Sequence, residues 1–152
     1  MRSLLICFIV LIDQISKNYI YQNQVQYKDN LVPVIEGILN FTYVENAGIA
    51  FGIFSDFDGL KVVFIVVPIL ITLYLFSLLN NKEFQNPFSH ISLLLIISGA
   101  IGNIIDRIFR GYVIDFIQFD IDIFPYIFNI ADSSVTIGLL LLLYSSIIVQ
   151  RR

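Results

Sequence analysis

The chain is short of nearly every residue that common active sites are built from. Among 152 residues there is one cysteine, Cys7, one histidine, His90, and no tryptophan. A lone cysteine forms no intrachain disulfide and cannot supply a Cys-rich zinc or iron–sulfur site. A lone histidine makes a His-based metal site or a Ser-His-Asp triad improbable. Charge is also scarce: 14% of residues are charged and the formal net charge is -3. No basic face is available to neutralise phosphates, so nucleic acid is not expected as a partner. What the chain has in plenty is apolar surface, with 57% hydrophobic residues and a mean hydropathy of +0.83. That composition excludes a disordered chain and argues against a soluble domain. A small integral membrane protein of one domain, residues 1–152, is expected. Its chemistry must fall to carboxylates, amides, hydroxyls, Lys or Arg.

A membrane helix needs about 20 mostly apolar residues, and four stretches qualify. They run from about Ser3 to Tyr21, Leu60 to Leu79, Ile91 to Phe109 and Phe128 to Val149. Pro68 in the second is tolerable in lipid. The first resembles a signal peptide, but no small-residue cleavage site follows Leu4–Ile12, so an uncleaved helix is expected. An even number of spans puts both termini on one side. Arg2, Lys82, Arg151 and Arg152 mark that side as cytoplasmic by the positive-inside rule. The outer loops are then about 22–59 and 110–127. Asn30–Ile35 and Ile38–Val44, parted by Glu36-Gly37, read as a β-hairpin. Gly111–Phe119 and Ile121–Phe124 are strand-like, so a small sheet on the outer membrane surface is expected. The fold class is thus an all-α membrane protein of four helices with a small extracytoplasmic β-sheet.

Charged groups inside spans cost about 2.5–3.5 kcal/mol each and mark functional candidates by default. At about 1.5 Å of rise per residue, Asp13 and Lys17 lie in the outer part of the first span. Asn103, Asp106 and Arg107 lie in the outer part of the third, and Asn129 and Asp132 early in the fourth. Asp115 sits in the loop just beyond the third. All reach a similar level, as a polar site open to the outer leaflet requires. Asp13 and Lys17 are i, i+4 neighbours, and Gly99, Asn103 and Arg107 share a helix face. Ser98, Gly99, Ala100 and Gly102 let another backbone approach closely.

Taken singly, each group has a plainer reading. Asp13–Lys17 is an ordinary ion pair, Asp106-Arg107 an interfacial anchor, and Asn129 an N-cap with Asp132 in a capping-box role. Asp115 alone is a solvated acid. Ser133, Ser134 and Thr136 read as helix glue, with no base to activate them. Together, the chemistry that fits is a carboxylate pair sharing one proton, one member activating water and the other donating to a carbonyl. Such a pair asks for no metal and no cofactor.

These residues resemble the lipoprotein signal peptidases, the type II signal peptidases of bacteria. The likeness rests on Asp13-Gln14 with Lys17, on Asn46–Gly52, on Gly99–Arg107, on Val113–Ile117 and on Phe128–Asp132, in that order along the chain. It implies four transmembrane helices with an outer β-cradle, and an aspartyl endopeptidase of the cytoplasmic membrane. The implied substrate is a prolipoprotein whose cysteine carries diacylglycerol, cut just before that cysteine. The implied catalytic dyad is Asp115 and Asp132. Supporting positions are Asp13, Lys17, Asn46, Gly99, Asn103, Arg107 and Asn129, with membrane lipid the other partner. The rival reading is a small ion or proton channel or carrier. Against it, the polar groups cluster at one level and do not string across the bilayer. A non-catalytic scaffold would tolerate Asn at both 115 and 132.

Overall fold

The computed structural model describes residues 2–48, 61–121 and 126–149. Helix α1 spans Arg2–Gln22, a short α2 spans Gln24–Tyr27, α3 spans Lys61–Leu78, α4 spans Pro87–Phe109 and α5 spans Ile130–Val149. Among the described residues, α1, α4 and α5 are long and apolar enough to cross a membrane; the apolar stretch of α3, Val62–Leu78, is shorter. The expected spans therefore coincide with helices, three of them of full length. Their outward faces carry large apolar side chains, such as Phe8, Leu70 and Leu140, as a helix facing lipid requires.

Helix α4 shows why its ends fall where they do. Asn86 caps it, accepting a bond from the Ser89 N–H at 2.9 Å, and Pro87 occupies the first turn, where its missing donor costs nothing. The other end is closed by Gly111, whose φ of 82° an L side chain would resist. The same Asn86 also accepts from Ser145 Oγ at 2.9 Å, and Ser145 pairs with Ser89 at 2.8 Å. The start of α4 is thus tied to the end of α5.

Helices α4 and α5 pack closely because small residues line their contact. Hydrophobicity does not drive helices together in lipid; close backbone approach does. A Cβ on Gly99 would overlap the Ala131 carbonyl oxygen, and one on Gly138 would lie 2.7 Å from an Ile96 side-chain carbon. Ser134 reaches across to the Leu95 carbonyl at 2.9 Å, the glue role expected of it. At Gly102 the neighbour is α1: a Cβ there would lie 2.6 Å from Asp13 Oδ2. Leu79, Leu93, Leu94 and Ile97 form a separate apolar core between α3 and α4.

The expected small sheet is present. Strands β1 (Val32–Ile35), β2 (Leu39–Asn46), β3 (Val113–Phe119) and β4 (Ile127–Phe128) form an antiparallel sheet in the order β1-β2-β3-β4. The hairpin turns at Gly37, with φ 69°. The strand expected at Ile121–Phe124 is not seen at Ile121, which has no regular structure, and 122–124 lie outside the described residues. The pairing falls instead to Ile127 and Phe128, opposite Gln118 and Ile117. Ile114 and Phe116 of β3 pack with Tyr43 of β2, Tyr27 and Ile20, which seats the sheet on the end of α1. A register shift between Phe41 and Val44 brings Val44 opposite Asp115 and Asn46 opposite Val113.

The Gly99 contact carries a direct test. Gly99→Ala must push the Ala131 backbone away, so thermal unfolding in detergent should show a loss of about 1–3 kcal/mol, the usual cost of overpacking.

Candidate functional site

The expected polar residues of α1 and α4 meet in an ionic cluster sealed from solvent. Lys17 is fully buried, and its ammonium bonds Asp13 Oδ2 at 2.9 Å, Asp106 Oδ2 at 3.0 Å and Asn103 Oδ1 at 2.9 Å. All three donors of the lysine are used, which is what an ion in a low-dielectric place demands. Asp13 turns its other oxygen to the Ala131 N–H at 2.9 Å. An acid from α1 thereby satisfies an orphan donor in the first turn of α5, where a negative charge is favoured. Gln14 Nε2 bridges Asp13 Oδ2, Asp106 Oδ1 and the Gly102 carbonyl at 3.2, 3.1 and 3.1 Å.

Next to this cluster stand the two further carboxylates. Asp115 is 3% exposed; Asn46 Nδ2 donates to its Oδ2 at 2.9 Å and Asn129 Nδ2 to its Oδ1 at 2.7 Å. Asp132 accepts from Asn103 Nδ2 at 2.7 Å and from the Asn129 N–H at 3.2 Å. Asn129 Oδ1 in turn accepts from the Asp132 N–H at 2.8 Å. Asn129 and Asp132 are therefore a reciprocal capping box for α5, the plainer of their two readings. Both carboxylates bond the same residue, Asn129: Asp115 through its side-chain amide and Asp132 through its backbone N–H.

The amides are held in one orientation each. Asn103 presents its oxygen to Lys17 and to Asn129 Nδ2, at 3.2 Å, and its nitrogen to Asp132. Asn46 accepts the Gly48 N–H at 3.1 Å, leaving its nitrogen for Asp115. Burial, and after it the charge of Asp132, push the Asp115 carboxyl up to about 7, against the bonds from Asn46 and Asn129 and the charge of Lys17, which lower it. Arg107 stands apart from the ion cluster. Its guanidinium donates to the Gly48 carbonyl at 3.1 Å and clasps the turn after β2. Of the expected Asn46–Gly52 segment, residues 49–52 lie outside the described residues.

Asp106 and Arg107 do not form the anchor pair that their adjacency suggests. Neighbours on a helix point about 100° apart, whereas i, i+4 residues share a face. Asp106 is fully buried and pairs with Arg110, with Lys17 and with the Ile114 N–H, at 3.3 Å. Gln14, Asp106 and Arg110 thus join the site residues. The i, i+4 spacing of Asp106 and Arg110 was the available signal. The reach of Gln14 across to α4 had none.

The model for signal peptidase (SPase) II matches residues 5–148. The chain belongs to the signal peptidase II family. It is similar to the lipoprotein signal peptidases of Clostridioides difficile, 38% identical over 89% of this chain and 86% of that one, and of Fusobacterium nucleatum, 39% identical over 97% and 87%. Two solved structures described as a bacterial membrane enzyme share its fold. One has a TM-score of 0.85 at 36% identity, covering 96% of this chain and 87% of that one. The other has a TM-score of 0.81 at 35% identity, covering 95% and 90%. As a signal peptidase II, this chain is a peptidase of a bacterial membrane, and the apolar helices accord with that.

Lys17 offers a test of the cluster by itself. Lys17→Met leaves Asp13 and Asp106 buried without their shared cation. Thermal unfolding in detergent should register a loss of about 3–5 kcal/mol, the cost of breaking a buried pair from one side.

Proposed function

We propose that this chain is an aspartyl endopeptidase that removes the signal peptide from prolipoproteins whose cysteine already carries diacylglycerol, cutting just before that cysteine. Asp115 and Asp132 are its catalytic dyad. The observation that carries this reading is that both carboxylates bond one residue, Asn129, beside the sheet: buried Asp115 its side-chain amide and half-buried Asp132 its backbone N–H. The family, and the substrate named for its relatives, support the choice of reaction.

The proton inventory suits the chemistry. Burial and the charge of Asp132 raise the Asp115 carboxyl to about 7, so below that pH Asp115 holds the proton that the reaction uses. Ionised Asp132 takes a proton from water as the water oxygen attacks the scissile carbonyl carbon. Asp115 gives its proton to the carbonyl oxygen, and a tetrahedral diol results. Asp132 then passes its proton to the amide nitrogen and the carbon–nitrogen bond breaks. A diol hydroxyl returns its proton to Asp115 as the new carboxylic acid forms. The leaving group is the amine of the lipidated cysteine. No step calls on a metal or a cofactor.

The other residues act by position. Asn103 and Asn129 orient the dyad, and Asn46 holds Asp115 from the β2 side. Arg107 adds positive charge and clasps the turn at Gly48. Asp13 and Lys17 brace the cavity, and Gly99 lets α5 come close enough to present Asp132. The protein acts as a single domain in the bacterial cytoplasmic membrane, with both termini inside and the site toward the outer face. A lipid tether on the substrate would hold the scissile bond at that level.

Purified protein with a diacylated prolipoprotein tests this. Asp115→Asn and Asp132→Asn should each lower cleavage by about 10²- to 10⁴-fold while the protein stays folded; full activity in either would remove the dyad. The rate should fall as pH rises through about 7, where Asp115 loses its proton. Stability should follow the same sign. Between the ordinary aspartate value of 3.8 and about 7 the folded state binds more protons than the unfolded, so this group's contribution declines as pH rises. Chelator should leave the rate unchanged, and inhibition by it would point to a metal.

A further inference from the structure

Strand β3 is held beside Asp115 by side chains and not only by a neighbouring strand. Its pairing with β4 begins at Ile117, opposite Phe128, and continues at Gln118. At Ile114, one residue before Asp115, the carbonyl accepts from Asn129 Nδ2 at 3.3 Å and the N–H donates to Asp106 Oδ2 at 3.3 Å. Asp106 is itself fixed from three directions. Lys17 of α1 bonds the same Oδ2, while Gln14 of α1 and Arg110, at the end of α4, bond Oδ1. It has no freedom to follow the strand if the strand moves.

A purely structural role would be to neutralise Lys17. Lys17 already has Asp13 at 2.9 Å and Asn103 at 2.9 Å. What Asp106 adds is the join between the end of α4 and the backbone that carries Asp115.

We infer that Asp106 is a positioning residue for peptide cleavage: its grip on the Ile114 N–H sets where the Asp115 carboxyl stands relative to Asn129 and Asp132. The inference rests on the dyad reading above. A displacement of about 1 Å at a reacting group can cost about 100-fold in rate without weakening substrate binding. Asp106 therefore governs kcat and leaves KM alone.

The test uses the full-length protein in detergent–phospholipid micelles and a synthetic diacylated prolipopeptide. Asp106→Ala should lower kcat by about 10- to 100-fold with KM within about twofold of wild type. Amide hydrogen exchange at Ile114 should speed up by about tenfold, while the β2–β3 pairing at Phe41 and Ile117 is unchanged. Asp106→Asn keeps one acceptor oxygen and should fall between Ala and wild type in kcat. Should the Ala variant fail to fold, the Asn variant decides, with a kcat at least about fivefold lower at unchanged KM expected from the same misplacement. Wild-type kcat in the deciding variant, or a rise in KM in place of a fall in kcat, would overturn the inference. If wild-type protein fails to cut the peptide, the dyad reading falls. Exchange at Ile114 then still decides whether Asp106 holds the strand, and unaltered exchange there overturns its positioning role.

Discussion

The rest of the structure depends on one buried cation. Lys17 lies between Asp13 and Asp106 with no solvent contact, and Asn103, itself bonded to Lys17, carries the network on to Asp132 and Asn129. In a membrane helix a lone lysine is costly and a lone aspartate scarcely less so. Set together with full hydrogen bonding, they become an anchor that each helix needs from the others. Asp13 caps α5, Asp106 holds β3 and Asn103 links Lys17 to Asp132. The ions that make α1 and α4 awkward in lipid are the ones that dictate how α1, α4 and α5 assemble.

That arrangement explains how a peptidase can be built from so few kinds of residue. There is no base of the histidine type beside the two carboxylates among the described residues, and the proposed mechanism calls for none. Three asparagines occupy their oxygens with neutral donors, so neither Asp115 nor Asp132 is locked in a bond to a cation. Burial of Asp115 next to a second acid raises its carboxyl to about 7, so that it holds a proton below that pH. The charge of Lys17 is delivered through Asn103, one amide removed from Asp132.

Much of this was legible in the sequence, and the reasons differ from part to part. The helices followed from apolar runs of bilayer length, and the hairpin from β-branched runs on either side of Glu36-Gly37. Depth along each span brought Asp13, Lys17, Asn103, Asn129 and Asp132 to one level, because a rise per residue is nearly invariant. Direction around the helix was harder. Adjacency made Asp106-Arg107 look like a pair, while the helix turns one toward Lys17 and the other toward Gly48. Long-range contacts left no local trace: nothing at Gln14 announces α4, and nothing at Ile127-Phe128 announces a strand two residues long. The double duty of Asn129 was legible only as two competing readings, since a cap and a site ligand use different atoms of the same amide.

The serine and asparagine knot at the far end of α4 and α5 bears on how the proposed lipid-bearing substrate would enter. Asn86, Ser89 and Ser145 fasten these helices at one end, and Asn103, Asn129 and Asp132 fasten them at the other. Two bars bolted at both extremities cannot splay. For the acylated substrate proposed above, the doorway then falls to the remaining helices or to the loops, with the α4–α5 unit serving as the fixed jamb.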